Sequence, residues 1–214
     1  MKAVMFDLDG TLLNTLQDLG ISMNVALKAL GCPEHPLEDY RELIGGGIRH
    51  FCLLSLPKDK KEERWVDECV QHFSEYYQKH WALHTSLYPG IANLLSTLQT
   101  KKVPMAILSN KPDHFTQEMV KHYLSSWYFE AVSGAIEDKP HKPDPTLALE
   151  LVQDLGVNAS DVYYIGDTSV DILTAKNAGF CPIGVQWGFR LEKELLEAGA
   201  AHILKDPLDL LSLI

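Results

Sequence analysis

Residues 2–11 read KAVMFDLDGT, an apolar run that ends in two carboxylates and a glycine. Lys2–Leu8 is apolar at both alternating positions, the pattern of a strand buried on both faces. Asp7 and Asp9 stand at i and i+2, so an extended chain points both side chains to the same face. Two anions held that close need a cation or a shared proton. Similar runs recur at Val103–Ser109, Glu130–Gly134, Val162–Gly166, Cys181–Val185 and Ala201–Leu204. Pro104 is tolerable because it falls at the beginning of a strand. Between these runs, Ile91–Lys101, Asp113–His122, Pro145–Leu155, Val170–Ala178 and Leu191–Ala198 carry apolar residues at helical spacing, and Gly156 and Gly179 close two of them. This βαβ alternation predicts an α/β fold with a mostly parallel sheet, helices on both faces and ligands beyond the carboxyl ends of the strands.

One region departs from this rhythm. From about Asn14 to Leu87 the pattern is helical, with no convincing strand. Leu16, Leu19, Met23, Ala26, Leu27 and Leu30 form a stripe closed by Gly31. A second helix is expected from about Lys61 to Trp81, with Trp65, Cys69, Val70, Phe73 and Tyr77 on one side. Gly45, Gly46 and Gly47 interrupt the helices, and Tyr88-Pro89-Gly90 marks the return to the core. The expected division is a catalytic core of residues 1–13 and 88–214 and a helical cap of residues 14–87, hinged near both junctions.

Composition narrows the function classes without naming one. The 214 residues are 46% hydrophobic and 22% charged, values ordinary for a globular chain. Twenty-nine acidic against 19 basic residues give a net charge of −10, which argues against nucleic-acid or anionic-membrane binding. A small anionic substrate stays compatible, because a few cations in one pocket vanish in a global sum. No apolar run reaches the roughly 18 residues of a spanning helix, and the first strand is too short for a secretory signal. Cys32, Cys52, Cys69 and Cys181 lack zinc or redox spacing, so free thiols in a cytoplasmic protein are expected.

Four strand ends carry polar groups. Asp7 and Asp9 follow the first. Ser109-Asn110-Lys111-Pro112 offers a hydroxyl, loop amides and a cation, the groups that hold phosphate oxygens. In His141-Lys142-Pro143-Asp144-Pro145 the lysine precedes a helix start, where it makes a good anion ligand, although an ordinary surface lysine reads the same way. Gly166-Asp167-Thr168-Ser169-Val170-Asp171 adds two more carboxylates. Oxygen ligands from loops, without cysteine or histidine, suit magnesium rather than zinc. Asp171 could equally serve the helix dipole. The four sets are complementary, and a parallel sheet brings them to one edge.

Together Asp7-Leu8-Asp9-Gly10-Thr11, Ser109, Lys142 and Gly166-Asp167 with Asp171 resemble the four motifs of the haloacid-dehalogenase-like hydrolases. Phe115-Thr116 after the second motif and Gly184-Val185-Gln186-Trp187-Gly188 make the chain look most like the phosphoglycolate-phosphatase group. The resemblance covers essentially the whole chain. It implies a Rossmann-like core with a helical cap between the first and second motifs, and a magnesium-dependent phosphatase acting on a small phosphorylated metabolite. It implies Asp7 as nucleophile and Asp9 as general acid and base. Asp7, Asp9 through its backbone carbonyl, Asp167 and Asp171 would be the metal residues, with Asp171 holding the metal's water shell or orienting Lys142. Thr11, Ser109, Asn110 and Lys142 would hold the phosphate.

For the substrate side, Gly46, Gly47, Arg49 and Lys111 are the candidates. A glycine loop lets backbone approach a ligand and Arg49 could pair with a carboxylate, while a plain helix–helix turn with an exposed arginine fits equally. The substrate implied is 2-phosphoglycolate-like or a sugar phosphate, and the protein a monomer or homodimer. A mutase of the β-phosphoglucomutase type, a pyrophosphatase and a non-catalytic binding protein are the competing readings. An acid at position 9 makes carbon–halogen cleavage unlike this chain. The group usually has an acid where this chain has Asn14, which touches the hinge rather than the chemistry. His80 and His84 have i, i+4 spacing but no third ligand.

Overall fold

The computed structural model describes residues 2–214. Strand β1 (Ala3–Phe6) is followed by a two-residue strand β2 (Leu13–Asn14) and three helices, α1 (Leu16–Ala29), α2 (Ile48–Ser55) and α3 (Glu63–His80). The short strand β3 (Ser86–Leu87) then returns the chain to a regular series. It runs α4 (Ile91–Thr100), β4 (Met105–Pro112), α5 (Asp113–Tyr123), β5 (Ala131–Ala135), α6 (Thr146–Leu155), β6 (Val162–Gly166), α7 (Ser169–Ala178), β7 (Cys181–Val185), α8 (Glu192–Ala198) and β8 (His202–Leu204). The main sheet has the order β5-β4-β1-β6-β7-β8 and all its pairings are parallel. β1 lies between β4 and β6, where the chain order reverses, and ligands of such sheets bind beyond that point.

Alternation along β1 explains its central place. Val4, Phe6 and Leu8 enter one hydrophobic cluster with Ile91, Leu95, Ile107 and Ile165. Ala3 and Met5 enter another, on the opposite face, with Leu147, Leu151 and Tyr164. Gly156 and Gly179 end α6 and α7 at φ 64° and 75°, the left-handed stop expected of them.

The helical insert has a cluster of its own. Leu16, Leu19, Met23, Ala26 and Leu27 of α1 pack with Phe51 of α2 and Phe73 and Tyr77 of α3, and Phe115 and Phe189 join them from outside the insert. Two expectations need correction. The buried stripe of α3 is Val66, Cys69, Phe73 and Tyr77, while Trp65 and Val70 are only half-buried. Lys60 and Arg64 lie over the Trp65 ring at 4.3 and 5.1 Å, which accounts for its place at the surface. Strands also exist at the two junctions, where Leu13–Asn14 pairs antiparallel with Ser86–Leu87. Two-residue strands leave no periodic run, so only the pairing reveals them.

Beside this ribbon, Asp18 of α1 is 3% exposed and accepts hydrogen bonds from the His84 and Thr85 amides and the Thr85 hydroxyl, at 2.7–3.1 Å. Asp18→Ala would strand these donors, and a loss of about 2–3 kcal/mol is expected. Urea unfolding would show it as a lower midpoint at unchanged slope.

Candidate active site

The carboxyl ends of β1, β4 and β6 converge as the alternation predicts. The Asp7 amide continues the sheet by donating to the Ile165 carbonyl at 2.9 Å, which fixes its side chain at the strand end. Lys142, from the loop before α6, reaches under it. Its Nζ lies 2.8 Å from Asp7 Oδ1, 2.7 Å from Asp171 Oδ1, 3.0 Å from the Tyr164 hydroxyl and 3.2 Å from the Leu108 carbonyl. The second oxygen of Asp171 accepts from the Thr168 amide and hydroxyl at the start of α7. Asp171 therefore serves both the helix start and Lys142.

Asp9 has a lysine of its own. Lys111 Nζ stands 3.2 and 3.1 Å from its two oxygens and 4.7 Å from the centre of the Tyr77 ring. The i, i+2 carboxylates are thus each matched by a separate buried cation. Despite Lys142, burial pushes the Asp7 carboxyl up to about 7, and the charges of Asp171 and Asp9 act in the same direction. For Lys142 the carboxylates outweigh burial and hold the ammonium well above its ordinary range.

Asp167 is fully buried. It accepts from the Thr11 hydroxyl at 3.1 Å and the Phe189 amide at 2.8 Å. Glycine is required around it. A Cβ on Gly10 would lie 2.2 Å from Asp167 Oδ2, and one on Gly188 2.2 Å from Asp167 Cβ. Burial, then the charges of Asp171 and Asp7, hold its carboxyl well above the usual range. Asp7, Asp167 and Asp171 each offer an oxygen within 4.8 Å of the others, and among the described residues no other such group of possible ligands occurs. Lys142 pairs with Asp7 and Asp171 but not with Asp167, so with all three carboxylates ionised the set carries an excess negative charge that a hard divalent cation fits.

Asp7, Asp9, Ser109, Asn110 and Lys111 open onto one cavity. Above them Gly45 and Gly47 bring the backbone of the insert close. Gly47 has φ 84°, and a Cβ there would approach the Asn110 carbonyl to 3.2 Å. Gly46 faces a second hollow with Arg49 and His141.

Several expected ligands are already engaged. The Thr11 hydroxyl is turned to Asp167 rather than to the cavity, a correction imposed by its complete burial. The Asn110 side chain bridges the Gly45 carbonyl and the Lys142 backbone, tying three loops together. Arg49 does not reach the main cavity. Its exposed guanidinium pairs with Asp67 and with Glu63 at 3.4 Å, because α3 presents those acids beside it. Trp187 donates to the Thr11 carbonyl at 2.9 Å, and His80 stacks on Tyr76. Tyr164 and Tyr77, the aromatic partners of the two lysines, escape sequence reading because each looks like an ordinary core position.

The family profile described as haloacid dehalogenase-like hydrolase matches residues 4–185. A phosphoglycolate phosphatase of Aquifex aeolicus is 31% identical over 189 residues, covering 88% of this chain and 86% of its own. Phosphoglycolate phosphatase 1 of Pseudomonas aeruginosa is 30% identical over 214 residues, covering 98% and 78%. The crystal structure of a Lactobacillus delbrueckii subsp. bulgaricus protein, provisionally named a phosphoglycolate phosphatase, superposes with a TM-score of 0.92 at 30% identity, covering 98% of this chain and 96% of its own.

Proposed function

The chain belongs to the haloacid dehalogenase-like hydrolases and is a phosphoric monoester hydrolase, and from this premise we propose that it cleaves small phosphomonoesters through an aspartyl-phosphate on Asp7 with magnesium as its metal. The observation that carries the reading is the place of Asp7. Its carboxylate lines the cavity beside Asp9 and Ser109, and Lys142 and two further carboxylates stand behind it.

In the first step an Asp7 oxygen attacks phosphorus and the ester P–O bond breaks. Asp9, protonated at this point, gives its proton to the departing alkoxide, which leaves as the alcohol. In the second, Asp9 takes a proton from water while the water oxygen attacks phosphorus. The bond to Asp7 breaks and inorganic phosphate leaves. Ser109 and Lys142 stabilise the oxygens on which charge gathers, and Lys111 keeps Asp9 positioned between the steps. Asp7, Asp167, the Asp9 backbone carbonyl and Asp171 would hold magnesium, which when bound screens the anionic nucleophile from an anionic substrate. In this reading residues 14–87 act as the cap that shields the cavity, and the protein works in the cytoplasm, a placement supported by its four free thiols.

Phosphate release with magnesium from 2-phosphoglycolate, sugar phosphates, nucleotides and pyrophosphate tests the reading. Turnover that a chelator abolishes is expected. Sugar-phosphate isomerisation with little free phosphate would replace this reading with a mutase.

Magnesium should also act on stability. With Asp7 raised from 3.8 to about 7, the metal-free fold binds a proton that the unfolded chain has lost. That group's contribution falls as pH rises through this window and levels off above about 7. Metal binding needs the carboxylates ionised, so the rise in Tm on adding magnesium should be larger at about pH 8 than at about pH 5. At roughly 100 times Kd a rise of about 5–10 °C is expected at the higher pH. An equal or reversed effect would contradict the assignment of Asp7 to the metal.

A further inference from the structure

Building on the phosphatase reading and its cap, we propose that Arg190 is a positioning residue that fastens the glycine loop of the insert over the cavity. Ile44, Gly45, Gly47 and Ile48 of this loop line the cavity together with Asp7 and Asp9. The loop is poorly able to hold its own shape. Gly45, Gly46 and Gly47 follow one another, and Gly45 and Gly47 take φ of 127° and 84°. Such a run has much backbone freedom to lose, so its order has to come from outside it. The loop also begins where a 3₁₀ helix, Leu37–Glu42, ends and leaves its last carbonyls without partners in the helix.

Core side chains supply what is missing. Arg190, between β7 and α8, donates through one terminal nitrogen to the Ile44 carbonyl at 2.7 Å and the Glu42 carbonyl at 3.1 Å. Asn110 donates to the Gly45 carbonyl at 3.1 Å. Arg190 is itself held. Its Nε lies 3.3 Å from one oxygen of Glu194, and the other oxygen accepts from the Ser169 amide at the start of α7. The guanidinium is thereby fixed to the helix start that carries Asp171, and a charged donor binds carbonyls more strongly than a neutral one.

The residues just before Arg190 belong to the acidic site. Gly188 lies against Asp167, and the Phe189 amide donates to Asp167 while its ring enters the hydrophobic cluster of the insert. In return Arg41 of the insert donates to the Gly188 carbonyl at 3.0 Å. The short segment that holds Asp167 thus also holds the loop, and the place of the loop is set relative to the reacting groups.

Arg190→Met keeps the stem and removes the donors. The test compares p-nitrophenyl phosphate, whose ring is large enough to meet the loop, with acetyl phosphate, whose two-carbon acyl group asks little of it. kcat/KM should fall about tenfold or more for p-nitrophenyl phosphate and less than about threefold for acetyl phosphate. An equal fall in both, as a merely structural arginine would give, overturns the proposal, and so does no fall in either. Arg190→Lys keeps the charge without the fork, should show the same split at smaller size, and carries the test if Arg190→Met does not fold. Hydrogen exchange, read without substrate, should be about tenfold or more faster over residues 43–48 and unchanged in β1 and β6. Unchanged exchange over 43–48 also overturns the proposal. Turnover with the wrong split sinks this inference alone, and no turnover of either compound by the unaltered protein sinks the phosphatase reading with it.

Discussion

Asp7→Asn is expected to lose phosphate release by ~10⁴-fold or more while keeping its fold. The amide has the shape of the carboxylate but no nucleophilic oxygen anion, so the covalent step cannot begin. Stability should move the other way from activity. Asp7 is 7% exposed and its ionised form is disfavoured by burial and by Asp171 and Asp9. In the metal-free protein the neutral amide removes that cost and leaves Lys142 paired with Asp171 at 2.7 Å. The metal-free Tm should therefore hold or rise, whereas the gain from magnesium should shrink. A variant that is inactive because it is unfolded would show neither behaviour, so an assay and a melting curve together separate the cases.

The second large effect belongs to Lys142. Among the described residues its ammonium is the one cation that touches the carboxylates of Asp7 and Asp171, and Asp167 has no cationic partner. Lys142→Met would leave three buried carboxylates facing one another. Breaking a buried ion pair from one side typically costs about 3–5 kcal/mol, and a loss of that size is expected in urea unfolding of the metal-free protein. Magnesium should return part of it by supplying positive charge to the same oxygens. Activity should fall by about 10²–10³-fold, the effect of removing one group aimed at the charge of a transition state. Lys142→Arg should not rescue it, because a planar fork does not fit a point-charge site ringed by Asp7, Asp171, Tyr164 and Leu108. Full stability in Lys142→Met would show that these carboxylates are held protonated instead.

Much of this site was legible in the chain because its chemistry is written in residue types at strand ends. Val162–Gly166 and Cys181–Val185 appear where their apolar runs place them, since strands buried on both faces leave no polar interruptions. Asp7, Ser109, Lys142 and Asp167 were recognisable because carboxylate, hydroxyl and amine complement one another across a parallel edge. What stayed hidden depends on partners far along the chain. Tyr164 serves Lys142, 22 residues away, through a hydroxyl that core packing alone would not demand. Asp18 looks like a first-turn helix acid until Thr85, 67 residues on, turns out to be its partner. Arg49 was drawn as a substrate ligand, yet acids one helix away hold it at the surface. Short pairings such as Leu13–Asn14 with Ser86–Leu87 have no run length to signal them.

The most direct test of the central claim is to quench a reacting mixture of protein, magnesium and a hydrolysed ester in acid and weigh the intact chain. The account predicts a fraction of molecules heavier by one phosphoryl group, mapped to Asp7, converted by hydroxylamine, and absent from Asp7→Asn. Sustained phosphate release with no such adduct at any quench time, or an adduct that persists in Asp7→Asn, would contradict it.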